Sequence, residues 1–156
     1  MKQEQIIKKI KEIIKNENVI VIYSSFFEIF LEDNKSGEIL LKNIIKLIKE
    51  ESKKKTFLIP SFTIPKKLLN LNTERSISGI LSNKVRKINN CERTLSAYFS
   101  FLVIGRFKKD VLNLKPIEVW GKNSVHDWIF KKNALILTLG SEPYNISIPH
   151  YAEWLM

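Results

Sequence analysis

Val19-Ile20-Val21-Ile22-Tyr23, running into Ser24-Ser25, is apolar and mostly β-branched without a break, and Thr56-Phe57-Leu58-Ile59 repeats that character just before Pro60. Unbroken apolar runs of this length are what strands covered on both faces require. Pro60 ends the second run because it has no N–H to continue an interior ladder. Between the runs, the stretch from Gly37 to Glu50 sets Ile39, Leu40, Ile44, Leu47 and Ile48 at helical spacing. Lys53 to Lys55 follow, where positive charge suits the negative end of a helix. A strand, a helix and a second strand in this order predict a parallel pair joined by a right-handed crossover. The chain is an α/β protein.

Working outward, Ile6, Ile7, Ile10, Ile13 and Ile14 form an apolar stripe interrupted by Lys and Glu, which predicts an amphipathic helix over residues 4 to 15. Ser76 or Ser78 is placed to cap a helix over Ile80 to Lys87, with Leu81 and Val85 on one face. Phe99 to Ile104, ending at Gly105, predicts a third strand, and Ala134 to Leu139 a fourth. Pro116 and Gly121 break the reading between them, and a short helix is predicted from Ser124 to Phe130. No linker interrupts the series. The expectation is one domain over residues 1–156: a three-layer α/β/α arrangement with a mostly parallel central sheet.

Lys and Arg number 26 against 16 Asp and Glu, a formal charge of +10. The excess is spread along the whole sequence, which reads as a generally basic solvated surface in preference to a dedicated polyanion site. Arg86, Lys87, Arg106, Lys108 and Lys109 could form a patch with Tyr98 and Phe107 for stacking, but no recognisable nucleic-acid module surrounds them, and no nucleic acid is expected as partner. The single cysteine, Cys91, excludes an internal disulfide and points to a reducing compartment. No run of about 18 apolar residues is present, so no membrane association is expected and the predicted location is cytoplasmic.

In open parallel sheets, ligands sit outside the carboxyl ends of the strands. Ser24 and Ser25, Ser61 and Thr63, and Ser141 with Glu142 fall there. Together with Ser76, Ser78 and Gly79 before the next helix, they either hold a pyrophosphate or pantetheine arm or serve as ordinary turn and cap residues. His150 and Glu153 share one helix face, so the carboxylate can orient the imidazole as a general base; the alternative is a surface pair. His126 with Asp127 is a second acid–base candidate, with Asp127 read as a first-turn carboxylate. Arg93 near Cys91 could lower the thiol pKa, although no partner marks a nucleophile. Two widely spaced His and one Cys give no metal signature.

Taken in order, these segments resemble the aminoglycoside 3-N-acetyltransferase family. Tyr23-Ser24-Ser25 matches its His-Ser-Ser turn with Tyr in place of His, and Pro60-Ser61-Phe62-Thr63 matches its Pro-x-Phe-Thr turn. Ser76-Ile77-Ser78-Gly79 leads into its Leu and Phe-Arg helix, here Leu81 and Val85-Arg86. The family's Arg-Ser-x-His-Pro-x-x-Ser segment is Arg93 to Ser100, with Ser96 and Ala97 replacing His and Pro. Gly121 to Ser124, Leu135 to Gly140 and His150-Tyr151-Ala152-Glu153 complete the series. The resemblance implies acetyl-CoA as co-substrate, a small-molecule amine of an aminoglycoside or amino sugar as acceptor, and no metal. It implies CoA binding by Ser24, Ser25, Ser61, Thr63, Ser76, Ser78 and Gly79, and catalysis by His150 with Glu153. Members of the family continue past this Glu, so the C-terminal part of the family fold is expected to be missing, and a non-catalytic remnant is the alternative to an enzyme.

Overall fold

A computed structural model describes residues 3–64, 70, 71, 73–96, 98–142 and 145–156. The elements are α1 (Gln3–Ile13), β1 (Val19–Ser24), α2 (Phe27–Glu32), α3 (Asn34–Glu51), β2 (Thr56–Pro60), α4 (Ile80–Val85), β3 (Glu92–Arg93), β4 (Phe101–Gly105), α5 (Lys108–Leu112), α6 (Val125–Lys131), β5 (Leu135–Leu139) and α7 (Ile148–Leu155). The five strands form one open sheet in the order β3-β4-β2-β1-β5. β1 pairs in parallel with β2, Val19 opposite Thr56, and with β5, Ile20 opposite Leu135. β4 runs antiparallel to both β2 and β3. Four of the five strands therefore point one way, as expected, and β4 alone is reversed.

The alternation of the pleat sorts the apolar runs into two cores. Ile20, Ile22, Phe57 and Ile59 face α1, α3 and α4, where Ile10, Leu40, Ile44, Leu47, Ile48 and Leu81 are buried. Val19, Val21, Tyr23 and Leu58 face the other layer, with Val111 of α5 and Val125, Trp128 and Ile129 of α6. At about 1.5–3 kcal/mol for each fully buried side chain, the α3 stripe alone outweighs what isolated helix formation could supply. Ile39, read as part of that stripe, is exposed because Leu41 takes the inward position. Asp33 caps α3, its carboxylate accepting from the Lys35 N–H at 3.0 Å. Lys55 folds back over the α1–β1 turn and donates to the carbonyls of Lys15 and Glu17, each at 2.9 Å.

Two expectations need correction. Neither Ser76 nor Ser78 caps α4: the cap residue is Gly79, at φ +100°, and the helix ends at Val85 instead of Lys87. The Cys91 thiol is not made more acidic by Arg93; burial pushes it up to about 12, against a smaller opposing effect of Lys108. Ala97 lies outside the described residues.

Candidate functional site

The carboxyl ends of β1 and β2 open onto a cleft of about 550 Å³. Ser24, Ser25, Ser78 and Gly79 line it together with Ser141 beyond β5, and Phe26, Phe27, Ile77 and Ile80 supply its apolar wall. The expected hydroxyl cluster is therefore partly assembled. Ser25 gives its backbone N–H to the Leu139 carbonyl at 2.9 Å, extending the ladder and leaving its side chain for the cleft. The Ser78 hydroxyl accepts from the Phe62 N–H at 2.8 Å, and Ser76 Oγ accepts from the Ser78 N–H at 3.0 Å. These two side chains pin the loop against the turn after β2.

Ser61, Thr63 and Ser76 are buried and do not line the cleft. Ser61 Oγ is the one buried side-chain polar atom without a partner among the described residues. The carbonyl of Ser61, by contrast, is heavily used. It accepts from the Ser100 hydroxyl at 2.6 Å and from the Arg93 guanidinium, which also reaches Ser100 Oγ at 2.9 Å and the Leu71 and Glu74 carbonyls. Arg93 and Ser100, the ends of one of the motifs quoted above, thus act as a clamp that fixes the loop leaving β2.

His150 and Glu153 meet as their spacing predicts. Nδ1 of His150 lies 3.1 Å from Glu153 Oε2 on α7, and the imidazole is 5.4 Å from the Trp120 ring. Their side chains are 55% and 73% exposed, and neither lines the cleft. α7 is nevertheless joined to it. Ser147, immediately before the helix, is buried, with Oγ 2.7 Å from the hydroxyl of Tyr23, a cleft residue, and 2.9 Å from His126 Nε2.

His126 is buried on α6 between Trp120, Phe99 and Phe101. Burial pushes its pKa down to about 4; the Val119 carbonyl opposes this and His150 adds to it. A neutral ring that donates to Val119 must accept at Nε2. The order of donation is then Tyr23 O–H to Ser147 Oγ, and Ser147 O–H to His126. Burial likewise raises Tyr23 to about 12, against smaller lowering effects from Ser147, so the phenol stays protonated and donating. His126 is a buried, hydrogen-bonded residue that burial keeps neutral.

Asp127, the first-turn carboxylate expected, is buried. It accepts from the Tyr151 hydroxyl at 2.8 Å, the Asn123 N–H at 2.8 Å and Lys131 Nζ at 2.7 Å. Burial pushes its pKa up, but Lys131 and these donors outweigh that and hold it below the usual carboxylate value. α6 and α7 are locked together through this one group. Among the described residues no three His, Cys, Asp or Glu side chains gather where a metal would sit, and no helix is long and apolar enough to cross a membrane.

The sequence matches the family profile described as aminoglycoside 3-N-acetyltransferase over residues 1–156. The chain belongs to that family. Solved structures agree in fold. The YokD protein from Bacillus subtilis superposes with a TM-score of 0.76 at 18% identity, over 98% of this chain and 70% of that one. AAC-IIIb, in a binary structure with CoASH, gives 0.76 at 13% identity over 99% and 65%. Aminoglycoside acetyltransferase AAC(3)-Xa gives 0.78 at 12% identity over 98% and 61%. The chain thus spans roughly two thirds of the length of these proteins. No curated protein matches the sequence.

The links Tyr23–Ser147–His126 and Asp127–Tyr151 were not foreseen. Their partners are 124 and 24 positions apart, and pairings at that distance leave no local pattern. The available signals were Ser124-x-x-Asp127, a capping arrangement, and a Tyr at an inward position of a buried strand.

Proposed function

We propose that this member of the family transfers the acetyl group of acetyl-CoA to the amine of an aminoglycoside or related amino sugar, with His150 as general base. The observation that carries the reading is the His150–Glu153 pair. With Nδ1–H donated to the carboxylate, Nε2 presents its lone pair outward and can take the proton from an attacking amine, while Glu153 stabilises the imidazolium formed. The amine nitrogen bonds to the thioester carbonyl carbon and its proton passes to His150 Nε2. The C–S bond then breaks and the imidazolium returns the proton to the departing sulfur.

The cleft suits the pantetheine part of such a substrate. Serine hydroxyls from Ser24, Ser25 and Ser141 can meet its amide groups, and Phe26, Phe27 and Ile80 its methylenes. Among the described residues no Lys or Arg lines the cleft, which suits it to the uncharged pantetheine arm. Ser76, Ser78, Ser61 and Thr63 would act by shaping the loops, and Gly79 by keeping the wall beside the Ser24 carbonyl open. The activity is assigned to residues 1–156 as one domain in the cytoplasm.

His150→Ala should abolish acetyl transfer, and Glu153→Gln should lower it by at least about tenfold; an unchanged rate in His150→Ala would remove the assignment. A second reading, a non-catalytic member retaining partial CoA binding, is favoured by the exposure of the pair and its position outside the cleft. Steady turnover with any amine excludes it.

A further inference from the structure

We propose that the opposite end of the sheet carries a separate anion site for a compact polyphosphate group. There, a cavity of about 670 Å³ lies where α3 ends, where the loop after α4 turns and where β4 terminates. Because Gly105 of β4 pairs with Thr56, the first residue of β2, this cavity sits at the amino end of β2, away from the cleft at its carboxyl end.

Five cations line it: Lys49 and Lys53 from one wall, Lys87 from another, and Arg106 and Lys108 beside its floor. Among the described residues no carboxylate lines it. Lys49, Lys53, Lys87 and Arg106 form no ion pair among the described residues, and Lys108 is paired with Glu92 outside the lining. Asn89, Asn90 and Ser52 add neutral polar groups.

Abundant lysine does not by itself account for this. The groove between α1 and α3 is lined by Glu4 and Glu50 as well as Lys11 and Lys46, the mixture that a generally basic surface gives. The dipole of α3 explains positive charge at Lys49 and Lys53, on its last turn and just beyond. It does not explain Arg106, nor why Lys87, just past the end of α4, and Lys108, paired with Glu92, reach the same space from other segments. Several like charges brought together around one concavity repel one another unless an anion neutralises them.

The floor is rigid. Gly105 has φ +120°, and a Cβ there would stand 2.0 Å from the Lys55 carbonyl oxygen. Convergence on a pocket instead of alignment along a track, with no aromatic side chain in the lining, favours a short phosphate chain over single-stranded nucleic acid. The volume is within the usual range of about 300–1,000 Å³ for small-ligand sites.

The test is calorimetric titration of the full chain with sodium tripolyphosphate at low salt, with and without saturating acetyl-CoA. Saturable one-to-one binding, unaffected by acetyl-CoA, is expected. Lys87→Glu and Arg106→Glu should each weaken it by at least about tenfold, while Lys42→Glu, on the exposed side of α3, leaves it unchanged. A parallel titration with ATP assigns the source: equal affinity points to a bare phosphate chain and tighter binding to a nucleotide, and both support the site. Absence of saturation, equal losses in Lys42→Glu, competition by acetyl-CoA, or stronger binding of single-stranded RNA that grows with its length would each overturn it.

Discussion

The Tyr23 hydroxyl meets Ser147 Oγ at 2.7 Å, joining the last inward-facing residue of β1 to the residue from which α7 departs. Ser147 is the middle of a buried chain that ends on His126. Ser147→Ala strands a phenol and an imidazole nitrogen together, whereas Tyr23→Phe leaves the Ser147–His126 bond intact. With two groups stranded at about 1–3 kcal/mol each against the loss of one hydrogen bond worth about 0.5–1.5 kcal/mol, Ser147→Ala should cost several times what Tyr23→Phe does. Urea unfolding of the two variants measures the ratio.

Stability should fall as pH drops from 6.5 to about 4. His126 is held near 4 in the folded state by burial, against 6.5 unfolded, so between those values only the unfolded chain binds this proton. Its contribution is complete above pH 6.5 and gone once pH has fallen through the folded value, a loss of roughly 3 kcal/mol. Denaturation midpoints across that range should show the slope, and His126→Gln should flatten it.

Tyr151→Phe should destabilise more than Lys131→Ala, although both remove a partner of Asp127. The Tyr151 bond is buried and made to a charged acceptor, worth about 1.5–3 kcal/mol. The Lys131 side chain is 56% exposed, and solvent screening reduces its pair to about 1 kcal/mol or less. Thermal unfolding of the two variants at pH 7 gives the order.

Gly105→Ala should be among the most damaging single-methyl additions to this fold. The new Cβ meets Lys55 and Thr56 backbone atoms within 3.0 Å at a φ of +120°, and neither neighbour is a side chain that can swing away. A loss of about 3 kcal/mol or more is expected, read as a lowered denaturation midpoint.

What was legible in the sequence was whatever repeats locally. β1 and β2 announced themselves by unbroken apolar runs, α3 by its stripe, and α6 by Ser124 at its start. β3 has two residues, Glu92 and Arg93, and is a strand only because β4 lies beside it. α5, Lys-Lys-Asp-Val-Leu, buries Val111 alone, too little for a periodic pattern. α2 begins with Phe27, which is exposed, so its apolar letters gave no inward face to follow. At the site, the i to i+3 spacing of His150 and Glu153 was readable because a helix enforces it. The cleft hydroxyls were readable from the rule of strand ends. The bonds that attach α7 to β1 and α6 were not, since tertiary folding alone brings those residues together.

The central claim is that His150 drives acetyl transfer to an amine. Free thiol released from acetyl-CoA should be followed with the purified chain and an aminoglycoside, in the wild type and in His150→Ala. The account predicts repeated turnover in the wild type and none above background in the variant. A folded wild-type chain that releases no thiol, or a variant that releases it at the wild-type rate, would contradict it.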